Sequence, residues 1–260
     1  MKKTILTSLA VTNVVTVVLL LLGHFPAATT GHSTIMNSKV EELQAELKLL
    51  KEQEERDNLL GQYAINMMYE TRAGKDLSSA RKQVLARAIV RVVNDVFETP
   101  EHKKGFIAVL AIESEFKKFA QSPTGPKGLS QVAKAAFKEG MERCGVTDVH
   151  DDDVWETDIN LYAGACYFRQ LLETHNNDPF IAIVAYNQGP NSKDAKTYAK
   201  AGRAEAKESL QYIARFSFLK RKVSEDKAPN APALSDLPVP GKNVKVDAGI
   251  ITKSATNLTK

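Results

Sequence analysis

Strand signals are missing from this sequence: no stretch alternates apolar and polar residues as a half-buried β-strand requires. There is no internal repeat, which excludes solenoids and propellers. The net charge is +4, yet the basic residues are scattered and no aromatics interleave with them, so no nucleic-acid motif is present. Cysteine is scarce. Cys144 and Cys166 are the only two, they do not form a CxxC pair, and no histidine cluster joins them. In an exported domain they could close one disulfide, but spacing alone leaves two free thiols equally open.

What is present starts at the N-terminus. Lys2 and Lys3 precede an uncharged run from Ile5 to Gly23, near the ~20 residues that a membrane-spanning helix needs. The small residues after it, Pro26, Ala27 and Ala28, make a poor cleavage site, so an uncleaved anchor is favoured over a cleaved signal. The preceding lysines place the N-terminus in the cytoplasm and the rest outside. The expected division is an anchor over 1–24, a linker and stalk helix over 25–61, a helical domain over 62–222, and a flexible Pro-containing tail over 223–260. In the stalk, Val40, Leu43, Leu47 and Leu50 follow an a/d pattern for two heptads, too short for a coiled coil, which favours a solvated helix.

Within 62–222 one helical pattern follows another. Ala80, Val84, Leu85, Ala88, Ile89, Val92, Val93 and Val96 form an apolar stripe. Pro100 to Phe119 is expected as a second helix, opened by its proline. Asp158 is placed to cap a helix running through Leu171 and Leu172. Asp178 and Pro179 open another that stops at Gly189 and Pro190, and a last helix spans about 204–221. Some 160 residues of helix can bury a core. Asp151, Asp152 and Asp153 lack the calcium-loop pattern and read as a solvated loop before a helix.

Glu113 is the most unusual residue. It follows the nearly wholly apolar run Gly105–Ile112 and falls on the stripe with Phe106, Val109 and Leu110. Desolvation there would raise its pKa and keep it protonated near neutrality, as a general acid requires. The plain alternative is a surface pair with Lys117 at i, i+4. Glu115, two residues on, does not share the face and is no second carboxylate.

The residues that follow carry a resemblance. Glu113-Ser114-Glu115-Phe116, Ser122 nine residues after the Glu, and Gly125-Pro126-Lys127-Gly128-Leu129-Ser130-Gln131 come first. Asn160-Leu161-Tyr162-Ala163-Gly164, then Ala182-Ile183-Val184-Ala185-Tyr186-Asn187-Gln188-Gly189-Pro190, then Tyr212-Ile213 follow in order. Together they resemble the family 23 lytic transglycosylases, the group of the soluble lytic transglycosylases and goose-type lysozyme. The resemblance spans about 100–220. It departs at Pro126, where the family has Ala, and at Ser130, where it has Met.

The resemblance implies an all-α, lysozyme-like helical catalytic domain, which the apolar run and the stalk pattern precede with a transmembrane helix and a stalk helix. It implies cleavage of the β-1,4 bond between N-acetylmuramic acid and N-acetylglucosamine in peptidoglycan. Glu113 would be the acid and then the base, yielding a 1,6-anhydro product. Ser122, Gln131, Tyr186, Asn187 and Tyr212 would contact substrate or position the Glu, with no metal or organic cofactor. The alternatives are a muramidase that uses water and a non-catalytic envelope scaffold. The expected location is the cytoplasmic membrane, single-pass, with the domain on the outer side. Envelope-complex proteins are possible partners, and nucleic acid is not. The same domain type serves wall recycling, secretion, conjugation and phage machinery, and the sequence does not choose among them.

Overall fold

The computed structural model describes residues 30–225 apart from Thr147, with side-chain surroundings from Ser38 to Val223. The expected anchor over 1–24 and all but the first residues of the expected tail lie outside this range. Among the described residues no helix is long and apolar enough to cross a membrane. The chain divides into two units, one ending at Asn58 and one beginning at Leu59.

Helix α1 spans Thr30–Tyr69. In the N-terminal unit its ion pairs are local, Lys39–Glu42 at 2.7 Å and Arg56–Glu52 at 3.9 Å, as an exposed helix would make. The last turns of α1, from Leu59, belong to the second unit, where Ala64, Ile65, Met67 and Met68 are buried.

The second unit continues with α2 (Arg72–Asp76), α3 (Ser79–Val96), α4 (Pro100–Glu113), α5 (Lys134–Arg143), a 3₁₀ turn (Asp151–Trp155), α6 (Thr157–Thr174), α7 (Pro179–Gln188), α8 (Lys193–Ala201) and α9 (Lys207–Glu225). The described residues form no strand, only isolated bridges of Lys127 with Gln121 and Val132. Helix α4 runs through the core: Gly105 to Ala111 are all buried. Its Phe106 ring lies 5.8 Å from Phe97 and 6.1 Å from Phe168. Burying each such ring contributes roughly 1.5–3 kcal/mol. Helix α6 packs on α3, α5 and α7, while α9 packs on α4 and α7.

Helix starts follow local chemistry. Thr99 caps α4 by accepting from the His102 amide at 3.2 Å, with Pro100 next. Asp178 caps α7 through the amides of Phe180 and Ile181, at 2.8 and 3.2 Å. Gly189 ends α7 with φ 88°, a left-handed conformation that glycine adopts without strain.

Four expectations need correction. Helix α4 ends at Glu113, not Phe119, because the Ser114 hydroxyl donates to the Leu110 carbonyl and accepts from the Phe116 amide, competing with the helical ladder. Helix α6 begins after Glu156, and Asp158 lies in its first turn paired with Arg91 at 2.5 Å. Val84 is exposed, so the α3 stripe is narrower than its apolar count suggests. The last helix starts at Lys207, because the Asp194 carboxylate takes the amides of Glu205 and Ala206 at 3.0 Å each and holds that stretch out of helix. The two cysteines, left open by spacing, form a disulfide that ties the end of α5 to the middle of α6, with Cα atoms 6.1 Å apart.

Candidate active site

Glu113 is the last residue of α4, so it stands at the end of a buried helix rather than along an exposed one. The chain turns sharply there. Glu115 and Phe116 take φ of 52° and 65°, a left-handed pair that is strained for non-glycine residues. Two contacts hold the bend in place. Phe116 is buried, and the Glu115 carboxylate accepts from the Ala73 amide at 3.1 Å and meets Arg215 at 3.5 Å. The turn carries Lys117 out of the i, i+4 position, so the helical surface pair with Glu113 does not exist. It also commits Glu115 to structure.

Glu113 is half-buried at the end of this helix. Burial raises its pKa from the ordinary 4.5 to about 7. A hydrogen bond from Tyr212 and the charge of Arg215 pull the other way, while Glu208 adds to the rise. The Tyr212 hydroxyl donates to Glu113 Oε1 at 2.6 Å. Burial and the neighbouring carboxylate push the pKa of both Tyr212 and Tyr186 well above the usual tyrosine value. Both hydroxyls therefore stay protonated and available as donors.

Tyr186, on α7, donates to the Ser130 carbonyl at 2.7 Å. Ser130 is fully buried; its amide donates to Asn160 Oδ1 at 2.8 Å and its hydroxyl to the Asn160 carbonyl at 3.0 Å. Asn160 Nδ2 in turn donates to the carbonyls of Lys127 and Val154, at 3.1 and 3.0 Å. One amide side chain on α6 thus fastens the turn to the helical frame. Two glycines permit this closeness. A Cβ on Gly128, where φ is 77°, would lie 2.2 Å from Asn160 Nδ2, and one on Gly164 would lie 2.3 Å from the Ser130 Cβ.

The other expected site residues fall on or near this frame. Gln131 Nε2 donates to the carbonyls of Ala120 and Gly128, both at 2.9 Å, so its amide closes the turn. The Ser122 hydroxyl lies 2.9 Å from that of Thr124, at the tip. Asn187 accepts from its neighbour Gln188 at 2.6 Å. Of these residues, only Tyr212 bonds Glu113 directly; Tyr186 feels the charge of the Glu113 carboxylate. Sequence reasoning missed Arg215 and Glu208. Both lie on α9 within a turn or so of Tyr212, at i+3 and i−4, so the helical period around a site tyrosine was the available signal. The Asp151–Asp153 run is structural: Asp151 meets Lys134 at 2.5 Å, and Asp153 accepts from the His150 amide at 2.8 Å.

Known proteins resemble part of this chain. The chain is 28% identical over 144 residues to the peptidoglycan transglycosylase gp16 of Escherichia phage T7, covering 53% of this chain but a tenth of that protein's length. An inactive mutant of the lytic transglycosylase Slt from Pseudomonas aeruginosa shares 22% identity over 54% of this chain and 24% of its own, with a TM-score of 0.44. Residues 99–209 match the family model described as the transglycosylase SLT domain, and this stretch holds Glu113, the Ser122–Gln131 turn, Asn160 and Tyr186. Over these residues, the chain is similar to the transglycosylase SLT domain.

Proposed function

We propose that the protein is a peptidoglycan lytic transglycosylase with Glu113 as its acid and base, of the family 23 type. The observation that carries this reading is the Glu113 carboxyl, with its pKa raised to about 7 and a 2.6 Å bond from Tyr212. A carboxyl poised there begins the reaction protonated and can later accept a proton.

Protonated Glu113 donates to the glycosidic oxygen as the bond from that oxygen to muramic C1 breaks. The carbonyl oxygen of the sugar's own N-acetyl group closes on C1, replacing the second carboxylate that most glycosidases use. Ionised Glu113 then takes the proton of the C6 hydroxyl, and O6 displaces the N-acetyl oxygen from C1. The product is the 1,6-anhydro sugar, and no water is consumed. Tyr212 orients the carboxyl in both states. Tyr186 and Gln131 fix the turn against which the sugar lies, and Ser122 and Asn187 offer polar groups to the substrate.

Glu208 supports a second reading. Its charge acts on Glu113, so a carboxylate is available to aid a water, which would give a muramidase. The anchor over 1–24, the stalk, a catalytic domain over 62–222 outside the cytoplasmic membrane, and the tail as a partner-binding segment complete the proposal. They rest on the apolar run behind Lys2 and Lys3 and on the proline-rich composition after 223. Purified sacculi test the activity: the full chain should clear their turbidity, and Glu113→Gln should clear them ~10²–10⁴-fold more slowly. Equal clearing by the folded variant would refute the assignment.

A further inference from the structure

We propose that Phe119 and Trp155, flanked by Lys118 and Lys127, form a second sugar-stacking subsite that holds the glycan strand beside the turn of the active site. The inference rests on the glycan substrate proposed above.

Phe119 is 71% exposed, the most exposed large apolar side chain among the described residues. It does not sit on a loose segment. Its neighbour Ala120 accepts from the Gly128 amide at 2.8 Å and from Gln131 Nε2 at 2.9 Å, so the ring projects from the fastened turn of the candidate site. The Phe119 and Trp155 ring centroids are 6.1 Å apart, with planes 50° from each other. Trp155 ends the 3₁₀ turn and packs on the small cluster of Val132, Phe137, Met141 and Val154, which fixes it while leaving part of it exposed. Paired aromatic faces left open at a protein surface offer stacking area to a ligand.

The connection to the acid is specific. Asn160 Nδ2 bonds the carbonyls of Lys127 and Val154, the residues beside this aromatic pair, while Asn160 Oδ1 holds Ser130, whose carbonyl receives Tyr186. The same side chain therefore builds both the platform and the frame of Glu113. Charge selects the ligand. Lys118 Nζ lies 5.2 Å from the Phe119 centroid and Lys127 Nζ 5.4 Å from the Trp155 centroid. The nearby Asp151 is held by Lys134 and Lys138 at 2.5 and 4.0 Å, and Lys127 acts on it through its field. A ligand with apolar pyranose C–H faces and carboxylates on its substituents fits this surface. Peptidoglycan strands have both, the carboxylates being on their stem peptides.

The test uses the full-length Glu113→Gln chain, which can bind strands without cutting them. The probe is purified peptidoglycan strands carrying stem peptides. Trp155 is the only tryptophan of the sequence, so its emission reports the platform alone. Strand addition should change that emission, and adding Phe119→Ala should raise the Kd about tenfold with an unchanged melting curve. Phe119→Tyr should restore binding. If strands bind and Phe119→Ala leaves the Kd unchanged, the platform is wrong while the glycan assignment stands. If the folded Glu113→Gln chain binds no strands, the glycan assignment fails and the platform fails with it.

Discussion

The hydroxyl of Tyr212 donates to Oε1 of Glu113 across 2.6 Å, joining the end of α4 to α9. The bond stabilises the ionised carboxyl, whereas burial stabilises the neutral one, and burial wins. Removing the hydroxyl should therefore strengthen the winner. Tyr212→Phe is expected to move the alkaline limb of the kcat/KM profile to higher pH while lowering the maximum through lost orientation. A limb that stays in place would mean that the tyrosine acts only in packing.

Stability should carry the mark of the same carboxyl. Its pKa of about 7 in the fold exceeds the ordinary 4.5, so between these values the folded state binds the extra proton. Stability therefore falls as pH rises across that window, and the loss is complete above about 7. Glu113→Gln cannot ionise and still accepts from Tyr212. It should be more stable than the parent by up to about 3 kcal/mol in mildly alkaline buffer. Near pH 4 the two should melt alike, within roughly 0.5 kcal/mol. Denaturant melts at both pH values check this, and a pH-independent difference contradicts it.

The turn depends on Asn160 and on the absence of a side chain at Gly128. Asn160→Ala removes bonds to one buried amide and two carbonyls and should destabilise by about 2–4 kcal/mol. Gly128→Ala meets both a left-handed φ of 77° and the Asn160 amide, and should impair activity as well as stability. Urea melts together with sacculus clearing measure both effects.

Opening the Cys144–Cys166 disulfide frees a loop of 22-residue separation, which lowers stability by about 3 kcal/mol in the chain-entropy picture. Because the bridge joins α5 to α6 and does not touch Glu113, kcat/KM at low temperature should change little in the Cys144→Ser, Cys166→Ser double variant. A melt with and without reductant tests the first part, and the variant's rate tests the second.

Much of this was legible from local sequence. The all-helical character followed from the spacing of apolar residues, and the Asp178-Pro179 start and the Gly189 stop followed from cap chemistry, because these signals act within one turn. The prominence of Glu113 was visible for the same reason, since Gly105–Ile112 is apolar on every side. The early end of α4 was not visible, because it depends on Ser114 competing for backbone and on Glu115 finding Ala73 and Arg215 in distant elements. The disulfide and the role of Asn160 also lie between elements, where spacing says nothing of distance. Arg215 is intermediate: its place on the Tyr212 face was readable, but not the carboxyls it faces.

The most direct measurement is mass spectrometry of muropeptides released from purified peptidoglycan by the full chain, beside Glu113→Gln. The account predicts 1,6-anhydro ends, each lighter by one water than a hydrolysed end, and their loss in the variant. Reducing, hydrated ends would contradict it and make the protein a muramidase, with Glu208 the first residue to substitute.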